Sequence, residues 1–260
     1  MYKTRGQGER RPPAASSCLE KETKMETVRC TLAEKKRNEG TIPASIARAQ
    51  KIQETLRRQC SVRPVPDLSA VRTIAGADAA YDGNSVYSAV VLMTFPGLSE
   101  IRSVVSRSEA SFPYIAGYFA FREGPGLIEA VDRLPEKPGV LLINGHGIAH
   151  PRRFGLASHV GVLLDIPVIG VAGRLMKGNY TFPRGRDGLE FPVYMGDEHV
   201  ATGVRKKPGS RPVYISPGHG VTVDQSVEIV TLAAGCHRLP EPLWRAHMLA
   251  GTSVRESKAE

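Results

Sequence analysis

Residues 141–155 read L-L-I-N-G-H-G-I-A-H-P-R-R-F-G. An apolar run ends in the polar Asn144, a Gly145-His146-Gly147 turn follows, and then come His150, Pro151 and the pair Arg152-Arg153. A buried strand that stops at polar residues presents their side chains to a cleft. With His159, three histidines and two arginines fall in this one stretch. A neutral imidazole relays protons or binds metal. Two adjacent guanidinium groups can hold a phosphate in bidentate fashion. Any one of these histidines, taken singly, is more often a satisfied structural residue; the five residues together are harder to explain that way.

Other candidates lie outside this stretch. Asp78, in A-G-A-D-A-A-Y, comes at the end of a strand-like run. A carboxylate there can bind a hard cation, although a lone strand-end Asp is more often a turn or cap residue. Residues 112–125 read F-P-Y-I-A-G-Y-F-A-F-R-E-G-P. Tyr114 could stack on or wedge beside a base, or simply pack in the core. Arg122 and Glu123 precede Gly124-Pro125, at an expected break in structure. Glu123 is then either a second metal- or water-positioning carboxylate or half of a surface ion pair of little worth. His219 ends S-P-G-H after a further strand, and is expected in the same strand-end cleft as Asp78 and Asn144. Asp224 follows on a helix, where a first-turn surface charge is the simpler account. There is no G-x-x-x-x-G-K phosphate loop and no G-x-S-x-G nucleophile turn.

The elements that position these residues follow from periodicity. Ile46, Ala49, Ile52 and Leu56 recur at helical spacing within 42–60, with Thr41 as a start signal. Three strands are expected at Val71–Asp78, Val86–Phe95 and Ile101–Ser106. Asp82-Gly83-Asn84 and Pro96-Gly97 supply their turns, so the strands are antiparallel neighbours. A helix over 115–132 precedes Val140–Ile143, short and continuously apolar as for a strand covered on both faces. Leu156–Leu164 reads as helix and Pro167–Val171 as strand. Short strands follow within 189–204 and 211–216, and a helix spans Thr222–Ala234. This order predicts a mixed sheet, three antiparallel strands followed by parallel helix-strand units, with helices on both faces.

Composition bounds the rest. The 260 residues suffice for one domain, and 41% are hydrophobic, ordinary for a globular chain. The net charge of +9 is uneven. Residues 1–38 hold ten basic and five acidic residues, so over half the excess sits in a leader. Such a leader is loosely attracted to phosphate backbones or is a disordered tail without a specific role. The expected division is a leader at 1–38, a domain over 39–250 and a flexible tail at 251–260. Cysteines at 18, 30, 60 and 236 form no C-x-x-C. They suit neither a disulfide framework nor a zinc site, and free thiols in a reducing cytoplasm are expected. No apolar run reaches the roughly 18 residues of a membrane span.

The segments 112–125, N-G-H-G-I-A-H-P-R-R-F-G-L-A-S-H-V-G, I-P-V-I-G-V-A-G, S-P-G-H and R-L-P-E-P-L-W-R-A-H closely resemble the endonuclease V family, in order and with family-like spacing from about residue 42 to 247. The resemblance implies a ribonuclease H-like fold and Mg²⁺-dependent cleavage (with Mn²⁺ a substitute) at the second phosphodiester bond 3′ to a deaminated base, chiefly inosine, in DNA repair. DNA carrying such bases is the implied partner, inosine-containing RNA the alternative, and a monomer is expected. By the same resemblance Asp78, Glu123 and His219 would form the metal site, Tyr114 would be the wedge at the lesion, and Gly145 would line the base pocket. His150 and Arg152 would lie near the scissile strand, and Arg153 would be a further nucleic-acid contact. Two positions depart from the pattern: Asn144 where the family has Asp, and Gly173 where it has Lys. Asn offers a cation one neutral carbonyl oxygen and no charge. A protein that binds inosine without cutting is therefore the alternative reading.

Overall fold

Val140–Ile143 is apolar without alternation because both of its faces are covered. The computed structural model describes residues 42–182 and 189–259; the leader 1–38 lies outside them. The elements are α1 (Ile42–Arg57), β1 (Thr73–Asp82), β2 (Ser85–Thr94), β3 (Glu100–Glu109), α2 (Phe119–Asp132), β4 (Val140–Asn144), α3 (Leu156–Leu164), β5 (Val168–Ala172), β6 (Glu190–Met195), β7 (Glu198–Val204), β8 (Val213–His219), α4 (Val223–Leu232) and α5 (Glu241–Ser257). The eight strands form one sheet in the order β3-β2-β1-β4-β5-β8-β7-β6. β1 pairs with β2, and β2 with β3, antiparallel. β4 lies parallel to both β1 and β5. β8, β7 and β6 then return antiparallel.

The period of two along each strand divides the core. Ala75, Ala77, Leu141, Ile143 and Val168 face Leu127 and Val131 of α2 and Val160 and Leu164 of α3. Ile74, Leu142, Ile169, Val171 and Ile215 point the other way, to Ile229 of α4 and Leu243 and Ala246 of α5. Helices therefore cover both faces, as expected. α1 docks Ala49 and Ile52 against Phe112, Tyr118 and Phe121, and ends at Arg57 rather than at 60. No helix among the described residues is long and apolar enough to cross a membrane.

Four expectations need correction. Asp78 does not end its strand: β1 continues to Asp82 because the hairpin with β2 closes only at Asp82↔Ser85. What stops at Ala77↔Ile143 is the parallel ladder with β4, which leaves Asp78 and Asn144 side by side beyond it. The 115–132 helix begins at Phe119 and runs through Gly124-Pro125 without a break. Gly126 holds it against the sheet, where an added Cβ would meet Ser88 Oγ at 2.5 Å; packing overrides the local proline signal. His219 is at the wrong end of the sheet. β8 runs antiparallel to β5, so His219 pairs with Val168 at the start of β5, while Asn144 pairs with Val171 near its end. Finally, α5 extends regular structure to Ser257, past the boundary expected at 250.

α5 lies close over β1 because position 76 lacks a side chain. A Cβ on Gly76 would sit 2.1 Å from the Pro242 carbonyl. Gly76→Ala is expected to destabilise the fold by about 2 kcal/mol, measured as a lowered urea midpoint. An unchanged midpoint would show that α5 shifts freely.

Candidate active site

The end of the parallel β1–β4–β5 ladder, the first turns of α2 and the Gly145–Gly147 turn enclose a cavity of about 280 Å³. Asp78, Glu123, Asn144, Gly145, His146 and His150 line it. The tight turn needs a glycine at 147, where a Cβ would lie 2.0 Å from the Pro217 carbonyl oxygen.

Asp78 is 7% exposed. Its Oδ1 accepts from the Ala79 amide at 2.9 Å. Its Oδ2 accepts from Asn144 Nδ2 at 3.1 Å and from His247 Nδ1 at 2.7 Å. His247, on α5, is the site residue that sequence reasoning missed. A signal was present: Leu243, Ala246 and Ala250 recur at helical spacing after Pro240, which places His247 on the helix beside them. A second cavity of about 200 Å³ flanks Asp78 and Asn144 on that side, lined also by His247 and Arg255.

Glu123 projects from α2 into the main cavity. Burial, aided by the nearby Asp78 charge, pushes its carboxyl up to about 7, against the opposing pull of Tyr81 and Arg122. The Tyr81 hydroxyl donates to Glu123 Oε1. Burial and the Glu123 charge in turn raise the Tyr81 phenol. Tyr114 is 68% exposed, which removes core packing as its account. Its ring rests on Phe119 at 4.8 Å and meets Tyr81 edge-on at 6.2 Å.

The His/Arg-rich stretch separates into different duties. His150 is buried, and desolvation with the charge of Arg152 lowers its imidazole to about 3, so it stays neutral. Its Nδ1 accepts from the Arg152 amide at 3.1 Å. His146 donates from Nε2 to the Arg174 carbonyl at 2.9 Å. His159 is structural: burial lowers it to about 4, and it packs edge-on to Phe121 at 5.2 Å. The two arginines do not form the expected clamp. Arg152 donates to Gln53 Oε1 at 2.9 Å and to the Gly117 carbonyl, and lies 4.1 Å over the Tyr118 ring. Arg153 turns away to Glu198. Arg152 therefore braces the segment that carries Tyr114, and the pair cannot grip one phosphate from these positions. Gly173 follows β5 at the cavity wall, with the Arg238 guanidinium 3.3 Å from where its Cβ would be. His219 sits apart, accepting from the Ser61 amide at Nδ1 and lying 3.7 Å from Asp165 at Nε2.

A mixed sheet whose central parallel strands end in an acidic cleft, flanked by helices on both faces, is a ribonuclease H-like fold. Residues 54–248 match the family model described as Endonuclease V. The chain is 39% identical over 208 residues to the endonuclease V of Roseiflexus sp. (strain RS-1), covering 80% of this chain and 93% of that one. Among solved structures, the Streptomyces avermitilis endonuclease V is similar at a TM-score of 0.75 and 33% identity, over 82% of this chain and 94% of that one. A Ciona intestinalis endonuclease V, solved in complex with a 24mer DNA containing an inosine followed by a ribo-adenosine, is similar at 0.73 and 26%, over 82% of this chain and 98% of that one. The chain belongs to the endonuclease V family, a family of nucleases.

Proposed function

We propose that this chain is a metal-dependent endonuclease acting on nucleic acid that carries deaminated bases, chiefly inosine, and that Asn144 limits its rate. The observation that supports this most is the placement of Asp78 and Glu123 in the lining of one cavity, with Tyr114 exposed nearby. The Ciona relative's complex with inosine-containing DNA supports the substrate class. A cation of the magnesium class binds through one or two carboxylates and keeps several waters. Asp78 and Glu123 fit that demand. Asn144 would add a neutral oxygen once its amide turned Oδ1 toward the cation. Such a cation, when bound, polarises the phosphate and favours hydroxide.

The protein's own groups do the rest. His247 and the Ala79 amide hold the Asp78 carboxylate in one orientation. Tyr81 holds Glu123. Gly145, His146 and the neutral His150 line space for an extruded base; extrusion costs a few kcal/mol, least where pairing is already damaged. Tyr114 fills the gap the base leaves. Tyr114→Ala is expected to weaken binding to an inosine-containing duplex about tenfold and leave the melting temperature of the protein unchanged. Equal affinity, read by fluorescence anisotropy, would remove Tyr114 from recognition.

A second reading rests on one contact. Asn144 donates its amide to Asp78 Oδ2, an oxygen a cation would need, so a protein that holds inosine without cutting is the alternative. The test is a cleavage assay on single- and double-stranded DNA and RNA oligonucleotides with one inosine, in Mg²⁺ and then Mn²⁺. Scission at the second bond 3′ to inosine supports the nuclease. Inosine-specific binding with no scission in either metal supports the binding protein instead.

A further inference from the structure

We infer that a basic groove beside the cleft, between the β7–β8 loop and Arg238, binds the sugar–phosphate backbone of the strand that enters or leaves the active site. This rests on the proposed action on nucleic acid and adds where the flanking strand lies.

The topology places the groove. β8 is antiparallel to β5, with Tyr214 opposite Ala172. β7 is antiparallel to β8, with Val204 opposite Val213. The end of β7 and the start of β8 therefore emerge at the same edge of the sheet as Asn144 and Gly173. A cavity of about 520 Å³ opens there, floored by Val204, Val213, Val230 and Leu239. Among the described residues, Arg205, Lys206, Lys207, Arg211 and Arg238 line it, against one acid, Glu190. A concave surface with that imbalance fits a polyanion, and its apolar floor fits the faces of unpaired bases.

Its cations divide into those that build the groove and those that face outward. Arg205 donates to the Ser210 carbonyl at 3.0 Å, and Lys206 donates to the Gly235 carbonyl. Ser210 Oγ donates to the Lys207 carbonyl at 2.8 Å, fixing the loop as a turn. Lys207 and Arg211, on either side of that turn, are exposed. Among the described residues, neither side chain makes a hydrogen bond or ion pair, which leaves both charges facing outward at the rim. Arg238 links the groove to the cleft. Its Nη2 donates to the Gly173 carbonyl at 2.7 Å and the Pro212 carbonyl at 2.6 Å. Gly173 lines the carboxylate cavity and Arg238 the groove, so a strand passing Asp78 and Glu123 meets this rim next.

The experiment compares the full chain with its Lys207→Ala/Arg211→Ala variant by fluorescence anisotropy. The probes are single-stranded DNA: a short inosine oligonucleotide spanning only the cleft, and versions extended by about ten nucleotides on the 5′ or the 3′ side. Each has an adenine-for-inosine control. The double variant is expected to lose roughly tenfold in affinity for one of the extended probes at low salt. Its log K against log salt slope should fall by about 1.4, the value for two single-strand phosphate contacts. The short probe should bind as before. Equal affinity and equal slope on every extended probe would overturn the groove while inosine preference left the proposed function standing. Loss on an extended probe without inosine preference would keep the groove and overturn the substrate reading. No binding to any probe would overturn both.

Discussion

Asn144→Asp is expected to raise metal-dependent cleavage of inosine-containing DNA by about a hundredfold or more, the scale of one electrostatic contact at a reacting phosphate. Asn144 now contributes a hydrogen-bond donor to Asp78 Oδ2. It adds no charge to attract a cation. An Asp there would face the Asp78 carboxylate across the same short distance. Without metal, two like charges would repel and lower the variant's melting temperature, and one would take up a proton. With Mg²⁺ the repulsion becomes a binding site. The variant should therefore gain a metal-dependent rise in melting temperature larger than that of the native protein, alongside its faster single-turnover cleavage. A variant that cuts no faster and melts identically with and without metal would remove position 144 from the chemistry. An Asn followed by Gly, as Asn144 is by Gly145, loses its side-chain amide readily, so both proteins must be fresh. Peptide mass spectrometry then reports any Asp already formed.

Glu123→Gln should make the metal-free protein more stable above about pH 4.5, with the full gain reached above about pH 7. The folded-state carboxyl titrates at about 7 against an ordinary 4.5. Below about 4.5 both states hold the proton and Glu123 contributes no pH dependence. Between 4.5 and about 7 the unfolded chain ionises first, so native stability falls as pH rises. Above about 7 the loss is complete, on the order of 3 kcal/mol. Gln keeps an acceptor for Tyr81 and has no charge to desolvate. The difference between the two urea curves should be near zero at pH 4, grow through the window and level off above it. A constant difference across pH would show that Glu123 ionises freely in the folded protein.

Much of the frame was readable because the relevant signals are local. Val140–Ile143 announced a strand covered on both faces, and the short turns at Asp82-Gly83-Asn84 and Pro96-Gly97 announced antiparallel neighbours. Asp78, Glu123 and Asn144 do meet in one cavity. What failed was long-range. Nothing local to S-P-G-H says that β8 runs against β5, so His219 was placed at the wrong edge. His247 reaches Asp78 across 169 residues of sequence, a pairing made by Gly76 letting α5 lie on β1. Adjacent Arg152 and Arg153 looked like one clamp. The left-handed backbone at Arg153 (φ 56°) and separate partners, Gln53 and Glu198, send them apart.

The placement of His247 on α5 also gives the site a lifetime of its own. That helix packs on one face of an otherwise continuous sheet, with Leu243 and Ala246 as its buried anchors and Ser257 tied to the Tyr87 hydroxyl at 2.5 Å. A helix packed on one face can undock while the strands stay paired, at a free energy below that of global unfolding. Each such opening withdraws the ring that orients Asp78 and leaves the carboxylate to solvent. Amide protons of α5 should then exchange as a group, ahead of those in β1 and β4. The catalytic geometry would persist only for the interval between these excursions, however durable the sheet beneath it.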